Sequence, residues 1–207
     1  MFLLNFLNKI LMKRYNNNVE IQRGLNVKCK IKGKNNTVKI FGNENKKIKA
    51  NIRIKIYGDN NSVIINGIEK IKRLYIGVGN VVPCENITIN IGKNITCVDT
   101  TILAYQNNVP ITIGDNCLFS KNVVIRSGEL PHIIYDTTTG QNLDNSNGIS
   151  IGDHVWVGEN TFIMKKAKLS NNSIVGSASV VTRKFEEENV VIAGNPAEIR
   201  RRNINWE

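Results

Sequence analysis

His132 is the residue best suited to acid–base chemistry in a chain that contains only two histidines. It lies in the segment 127–136, Ser-Gly-Glu-Leu-Pro-His-Ile-Ile-Tyr-Asp. A neutral imidazole accepts protons near pH 7, which suits it to deprotonate a hydroxyl group that attacks a thioester. Glu129 or Asp136 would hold the second ring nitrogen and fix the tautomer. The alternative interpretation is an ordinary histidine in a surface loop.

Trp156 lies further along the chain, one position before the aliphatic Val157. Side chains alternate between the two faces of a strand, so we expect the indole to point outward. An outward indole is typical of a substrate-facing surface or of a subunit interface, and both interpretations stay open. His154, in the same stretch, is interpreted as an exposed turn residue.

The segment 176–184, Gly-Ser-Ala-Ser-Val-Val-Thr-Arg-Lys, has the composition of a surface for a flat, anionic ligand. Small residues let such a ligand lie along the chain and reach backbone groups. Arg183 and Lys184 would meet phosphates at its far end. The alternative is that the small residues only satisfy the steric demands of tight corners.

A six-residue period from Ile113 onward indicates how these groups are positioned. Each hexad starts with an aliphatic or aromatic residue, often followed by glycine, and has a small or β-branched residue four positions later. Three hexads form one triangular coil, in which the first position of each hexad fills the interior of a wall. The first positions are Ile113, Phe119, Ile125, Ile151, Val157, Ile163, Leu169, Val175 and Val181, and the small positions are Cys117, Val123, Val155, Thr161, Ser173 and Ser179.

Two earlier segments, 31–42 and 56–67, match each other position by position. Each has a short strand, a turn of glycine and asparagine, and a second short strand. Branched residues favour strands, whereas asparagine and glycine favour turns. The N-terminal third is therefore also expected to be β-structure.

The register of the hexads locates one interruption. Ile151 lies three hexads, or one coil, before Leu169, whereas the interval from Ile113 to Ile151 is longer than two coils. We expect the additional chain, about residues 126–147, to leave the coils as a long loop, and long loops on rigid scaffolds are often functional. The expected fold is all-β: a left-handed parallel β-helix over 19–185 with short N- and C-terminal helices.

The two ends of the chain differ in composition from the coils. Residues 1–18 form an amphipathic segment, in which the apolar stretch is too short and too interrupted to span a bilayer. We expect an amphipathic helix that either packs on its own oligomer or touches a membrane surface through residues 1–15. Residues 186–207 are expected to form a strand, a turn and a basic helix that caps the last coil.

Composition restricts the classes of partner. The net charge is +11, and much of the excess is lysine within residues 28–73, alternating with isoleucine and valine on the solvent face of strands. No zinc-finger, helix-turn-helix or RNA-recognition pattern is present, so nucleic acid is not expected as a partner. Four cysteines without a CxxC pair and two histidines give no metal motif, and Cys97 and Cys117 are typical of reduced core thiols in a cytoplasmic protein.

Several motifs together resemble the hexapeptide-repeat acyltransferases, in particular enzymes that O-acetylate capsular and lipopolysaccharide sugars, including polysialic acid O-acetyltransferases. The resemblance is good over about residues 85–200 and looser in the N-terminal third. The motifs are Ile-Gly-Asp-Asn at 113–116, Ser-Gly at 127–128 followed by His132, Tyr-Asp at 135–136, Ile-Gly-Asp-His-Val-Trp-Val-Gly at 151–158, Ile-Val-Gly-Ser-Ala-Ser-Val-Val-Thr at 174–182 and Ala-Gly-Asn-Pro-Ala at 193–197.

This resemblance implies a homotrimer with sites between subunits and acetyl-coenzyme A as co-substrate. It implies that His132 is the general base and that Trp156 lines the reaction site. The family commonly has Ser-Gly-Asp, one residue, then His, whereas this chain has Glu129 and one extra residue before His132. Residues assigned to acetyl-coenzyme A are Gly158, Ser177, Ala178, Thr182, Arg183 and Lys184, and those assigned to the acceptor or to orienting the histidine are Glu129, Tyr135 and Asp136.

The expected activity is direct O-acetylation of a capsular or lipopolysaccharide sugar, in the cytoplasm or at the inner face of the membrane. Two alternatives within the enzyme class are N-acetylation of a nucleotide-linked amino sugar and O-acetylation of an antibiotic. An alternative of a different class is a non-catalytic β-helical scaffold that binds an anionic partner through its basic face.

Overall fold

The computed structural model describes residues 15–43, 48–144 and 147–207. These ranges contain 21 strands and no helix. The strands are β1 (Asn18–Ile21), β2 (Asn26–Lys32), β3 (Thr37–Ile40), β4 (Ala50–Tyr57), β5 (Ser62–Ile65), β6 (Ile68–Val78), β7 (Thr88–Ile91), β8 (Ile95–Cys97), β9 (Thr100–Ala104), β10 (Pro110–Ile113), β11 (Leu118–Phe119), β12 (Val123–Arg126), β13 (Ile149–Ile151), β14 (Trp156–Val157), β15 (Phe162–Ile163), β16 (Lys168–Leu169), β17 (Ile174–Val175), β18 (Val180–Val181), β19 (Lys184–Phe185), β20 (Val191–Gly194) and β21 (Ala197–Arg201).

Parallel pairing arranges these strands into three walls of a prism, which confirms the predicted left-handed parallel β-helix. The long strand β6 belongs to two walls, because its start pairs with β8 and its end pairs with β9. Wall A contains β1, β3, β5, β7, β10, β13, β16 and β19; wall B contains the start of β6, then β8, β11, β14, β17 and β20; wall C contains β2, β4, the end of β6, then β9, β12, β15 and β18.

The hexad pattern predicts the interior correctly. All nine first-position residues are at most 5% exposed, and the six small positions are buried beside them. Residues one coil apart stack directly on each other, as the pairs Ile151–Leu169, Val157–Val175 and Ile163–Val181 do. Identical inward positions therefore form continuous ladders, as expected for stacked coils.

The two matching segments of the N-terminal third form wider coils. Val38 stacks on Val63, and two types of asparagine recur at the corners. Asn35 and Asn60 adopt left-handed backbone conformations, with φ of 56° and 57°. Asn36 and Asn61 are buried instead, and the side chain of Asn61 donates to the carbonyl oxygen of Cys84 at 2.9 Å and accepts from the N–H of Ile87 at 3.0 Å.

The expected long loop corresponds to the segment between Arg126, the last residue of β12, and Ile149, the first residue of β13. The expected N-terminal helix falls largely on residues 1–14, which lie outside the described ranges. In the parts of the chain that the structure describes, no helix has the length and hydrophobicity needed to cross a bilayer.

The expected basic helix near the C-terminus is wrong. Residues Ala197–Arg201 form β21, which turns back and pairs antiparallel with β20. The physical reason is that β20 is the last rung of wall B and would otherwise present unpaired backbone groups at an open edge. A returning strand satisfies these groups, which a helix packed on the same edge would leave unpaired.

We expect Asn61→Ala to lower the free energy of unfolding by about 1–3 kcal/mol, because the N–H of Ile87 and the carbonyl oxygen of Cys84 would lose their buried partner. Urea unfolding followed by circular dichroism measures this. The matched control is Asn51→Ala, which removes an outward, exposed asparagine of β4. Equal stability of the two variants would contradict a structural role for the buried asparagine ladder.

Candidate active site on the excursion loop and the last coils

The excursion loop starts with a tightly packed anchor. Ser127 and Gly128 are buried, and a Cβ atom on Gly128 would lie only 2.5 Å from the carbonyl oxygen of Tyr105. This close approach requires glycine, because real Cβ atoms do not come so near to backbone. The N–H of Leu130 then donates to the same carbonyl oxygen at 3.1 Å. The segment just before His132 is therefore held against the preceding coil.

The side chain of His132 is exposed, and the backbone N–H of the same residue donates to the carbonyl oxygen of Glu129 at 3.1 Å. Among the described residues, no side chain hydrogen-bonds to the imidazole. The ring lines a small cavity of about 60 Å³. Both ring nitrogens are thus available to a ligand that approaches from solvent. The other residues around this cavity are Gln106, Glu129, Leu130, Ile133, Asn142 and Asp144.

The two carboxylates predicted to orient His132 are engaged elsewhere. Glu129 forms an ion pair with Arg126 at 2.7 Å. Asp136 accepts hydrogen bonds from the N–H groups of Thr138 and Thr139 and from the hydroxyl of Thr139, and these bonds lower the pKa of its carboxyl group. Neither carboxylate hydrogen-bonds to the imidazole in this structure, although Glu129 lines the same small cavity as His132.

Tyr135, the third predicted acceptor residue, lies just before the tip of the loop. It forms an antiparallel bridge with Asn142, and its side chain is exposed. The N–H of Leu143 donates to the carbonyl oxygen of Ile134 at 2.8 Å, which continues this small hairpin. The tip of the loop is thus held in shape by its own backbone.

An ion pair between Lys165 and Asp144 fastens the end of the loop to the next coil. Asp144 is 9% exposed, so its charge is largely removed from solvent and needs this partner. Sequence reasoning missed this pair, because its two residues are far apart in the chain and belong to no recognisable motif. The pair fixes the loop on the edge between walls C and A.

Trp156 points outward from wall B, as predicted, and is 38% exposed. Its Nε1 donates to the hydroxyl of Ser120 at 3.2 Å. Sequence reasoning missed its aromatic neighbour Trp206, whose ring lies 6.1 Å from that of Trp156 at an angle of 48°. This separation is within the range of favourable aromatic pairs.

Trp206 is held in place by His154 rather than by Trp156. Its ring stacks on the imidazole of His154 at 4.2 Å, and its Nε1 donates to the carbonyl oxygen of His154 at 2.9 Å. The Nδ1 atom of His154 lies 3.1 Å from Oδ1 of Asn172. His154 is therefore a half-buried corner residue that positions the C-terminal tail, and not the simple exposed turn residue expected.

The residues predicted to hold the pantetheine arm lie on the edge between walls B and C. A Cβ atom on Gly158 would lie 2.7 Å from the backbone nitrogen of Ser177, so glycine lets successive corners stack closely. Ala178 has a φ of 57°, and its N–H donates to the carbonyl oxygen of Glu159 at 2.8 Å. Ser177 and Ala178 are exposed, which leaves a flat, small-residue surface at this corner.

Thr182, Arg183 and Lys184 are exposed at the edge between walls C and A. This is the edge from which the excursion loop departs two coils earlier. The guanidinium of Arg183 lies 5.3 Å from the ring centre of Phe185. Lys184 lines a groove of about 470 Å³ on wall A, together with Lys166 and Lys168. Cations are therefore concentrated where phosphates were expected.

The predicted residues lie at three positions around the prism, and Gly158, Ser177 and Ala178 occupy the edge between walls B and C. His132 shares the edge between walls C and A with Thr182, Arg183 and Lys184, whereas Trp156 lies on the outside of wall B. Within the described chain, His132 and Trp156 share no hydrogen bond, ring contact or cavity. The same described residues include no cluster of three or more metal-ligating side chains.

Comparison with known proteins gives relatives of consistent type, although no family model matches the chain. The chain is 31% identical over 128 residues to a polysialic acid O-acetyltransferase of Escherichia coli O1:K1, covering 62% of this chain and 41% of the relative. It is 32% identical over 113 residues to the galactoside O-acetyltransferase of Escherichia coli K12, covering 55% and 53%. The chain thus spans about half the length of the curated relatives it matches.

The crystallographic structure of the polysialic acid O-acetyltransferase OatWY is similar over nearly the whole chain. The TM-score is 0.59 and the sequence identity 28%, with 93% of this chain and 88% of that chain covered. These comparisons confirm the resemblance to sugar O-acetyltransferases of the hexapeptide-repeat type.

The contact between Trp206 and Trp156 can be tested with fluorescence, because the chain has only two tryptophans. In Trp206→Ala and Trp206→Phe, Trp156 is the sole emitting indole. We expect acrylamide to quench Trp156 more strongly in the alanine variant, because phenylalanine keeps an aromatic ring beside it. Equal quenching constants in the two variants would show that residue 206 does not cover Trp156 in solution.

Proposed function

We propose that this chain, a β-helix similar to the hexapeptide-repeat acyltransferases, transfers an acetyl group from acetyl-coenzyme A to a hydroxyl group of a glycan. The observation that carries the proposal is the exposed imidazole of His132 on an anchored excursion loop, in a chain similar to two sugar O-acetyltransferases. Fold alone does not determine activity, so the argument depends on the residues of the site.

The residues on two edges have the chemistry that acetyl-coenzyme A requires. Ser177 and Ala178 offer exposed, small side chains beside which a pantetheine arm can lie against the backbone. Arg183 and Lys184 offer exposed cations that suit phosphate groups. The outward side chain of Val180 lies on wall C, which joins these two edges, and adds an apolar surface between them.

The separation of His132 from Trp156 supports an assembly of several copies. The two residues lie on different faces of one prism, so a single copy cannot bring both to the same acetyl group. A second copy that places its wall B against the excursion loop of the first would complete the site. A closed ring of three copies uses this heterologous contact three times.

In the proposed reaction, the acceptor sugar and acetyl-coenzyme A are bound together. A ring nitrogen of His132 takes the proton of the sugar hydroxyl while the hydroxyl oxygen forms a bond to the thioester carbonyl carbon. A backbone N–H donates to the developing oxyanion. The bond from carbon to sulfur then breaks, the imidazolium protonates the thiolate, and an acetyl ester and free coenzyme A leave.

The acceptor that fits this chain best is an anionic capsular or lipopolysaccharide sugar. The net charge of +11 favours an anionic substrate, and electrostatic steering accelerates its encounter. An acceptor panel that includes hydroxyl-only glycans, amino sugars and aminoglycoside antibiotics distinguishes O-acetylation of glycans from the two rival transfers. Release of free thiol from acetyl-coenzyme A reports each reaction.

We expect His132→Ala to lower the turnover number about 100- to 10,000-fold, the usual contribution of a general base. Free imidazole should partly restore turnover, which a merely structural role would not predict. The control is Thr137→Ala, which truncates another exposed side chain of the same loop. Near-normal turnover of the His132 variant would remove the assignment.

We expect the double variant Arg183→Gln/Lys184→Gln to bind coenzyme A about tenfold more weakly, or about 1.4 kcal/mol. Isothermal titration calorimetry measures this, and the loss should shrink at high salt because salt screens exposed charges. Affinity for S-acetylpantetheine, which lacks the nucleotide phosphates, should change little. Absence of coenzyme A binding by the unmodified chain would favour the non-catalytic scaffold instead.

A further inference from the structure

The outward side chains of β2 and β4 form a strongly cationic surface at the N-terminal end of wall C. We call the five residues Lys28, Lys30, Lys32, Arg53 and Lys55 the basic face. The four lysines are exposed, as is Arg53, and the inward residues between them are aliphatic or cysteine. The alternation of strands thus puts all five cations on one plane.

The pairing register places like charges directly opposite each other. Lys28 pairs with Arg53, and Lys30 pairs with Lys55. Neighbouring strands lie about 4.8 Å apart, and alternate residues of one strand lie about 6.6 Å apart. Like charges opposite each other destabilise a sheet, so this arrangement is not explained by stability.

The basic face lacks compensating acids, unlike other parts of the surface. None of its five cations has a carboxylate partner among the described residues, although Lys32 lies over the ring of Tyr57 at 4.3 Å. By contrast, on wall A Lys39 pairs with Glu20 at 3.6 Å. Lysines on an edge strand such as β2 can prevent its pairing with another copy of the chain. This explanation does not extend to Arg53 and Lys55, which lie on β4, one strand inside that edge.

A polar groove leads from the basic face along the prism, beside the edge between walls B and C, which also carries Ser177 and Ala178. Its volume is about 480 Å³. It begins at Asn51 and Arg53 and ends at Thr101 and Asn122. The acid in its wall, Asp99, forms an ion pair with Arg73. Asn122 directly precedes β12 and lies at the corner between walls B and C, and Ser177 and Ala178 occupy the equivalent corner two coils further on.

The distance between the basic face and the last coils can be estimated by counting rungs along one column of stacked residues in wall C. Each step in it is one rung of wall C, about 4.8 Å, so Arg53 lies about 14 Å from Val124 and about 24 Å from Val180. A single sugar cannot span this distance, whereas a chain of several sugars can. The column runs Arg53, Tyr75, Thr101, Val124, Phe162 and Val180.

We propose that the basic face and the groove beside it bind a linear, polyanionic glycan and hold its remote sugars while another sugar of the same polymer is acetylated. This inference rests on the proposed function for the acetylation step but not for the binding step. A second copy of the chain does not fit the basic face, because two such surfaces would repel. Charge complementarity therefore requires an anionic partner, and the groove's course along the prism toward the corner of Ser177 and Ala178 favours an extended polymer over a lipid surface.

Polymer binding without acetyl-coenzyme A is the direct test. The probes are fluorescently labelled polysialic acid, which carries a carboxylate on each sugar, and neutral dextran of similar length. We expect Lys30→Gln/Arg53→Gln/Lys55→Gln to bind polysialic acid at least about tenfold more weakly than the unmodified chain, or about 1.4 kcal/mol. The matched control is Lys39→Gln/Lys70→Gln/Lys93→Gln, which removes three positive charges elsewhere and should bind within about twofold of the unmodified chain.

Kinetics separate remote binding from chemistry. In the basic-face variant, we expect KM for polysialic acid to rise about tenfold, while the turnover number and the KM for a sialic acid monomer stay unchanged. His132→Ala should keep its affinity for the polymer. If polymer binding persists but no acetyl transfer occurs, the proposed function fails and this inference stands.

Three results would overturn the inference. One is equal loss of affinity in the basic-face variant and its matched control, which would indicate a general effect of net charge. Another is equal binding of dextran and polysialic acid. The third is binding to phosphatidylglycerol vesicles without binding to polysialic acid, which would identify the basic face as a membrane-contact surface.

Discussion

Backbone hydrogen bonding between successive coils is the constraint on which the rest of the structure depends. Because each rung pairs in parallel register with the next, a residue at an inward position stacks on the same position of its neighbours. Every inward side chain must therefore be apolar, small or hydrogen-bonded, and the buried Asn36 and Asn61 are of the last kind. One ladder crosses all eight strands of wall A: Ile21, Ile40, Ile65, Ile91, Ile113, Ile151, Leu169 and Phe185.

This constraint explains which features could be predicted from the sequence. The hexad period, the interior ladders, the outward Trp156 and the fold follow from local alternation repeated at a fixed spacing. The strand β21 and the partners of Glu129 and Asp144 were missed, because they depend on an open edge and on ion pairs outside any repeat. The proposed orientation of His132 by Glu129 or Asp136 relied on proximity in sequence, whereas each carboxylate satisfies a nearer donor.

The distribution of the candidate site over two faces has the same origin. A triangular coil turns the chain through three walls within three hexads, so residues close in sequence point in different directions. His132 and Trp156 consequently lie on an edge and on the wall opposite that edge, although the chain between them is short. A sequence motif in such a fold can identify the residues of a site, but it does not show that those residues come together within one copy of the chain.

The outer faces are free of the stacking constraint, and their composition changes along the axis. At the N-terminal end of wall C the outward residues are Lys28, Arg53 and Lys55, whereas further along the same wall they are Val124, Phe162 and Val180. Exposed apolar side chains such as Phe162 favour contact with protein, and unpaired cations oppose it. The charge of the basic face is thus kept apart from the apolar part of the same wall. One wall therefore presents a cationic surface at one end and an apolar surface at the other, and each end suits a different kind of contact.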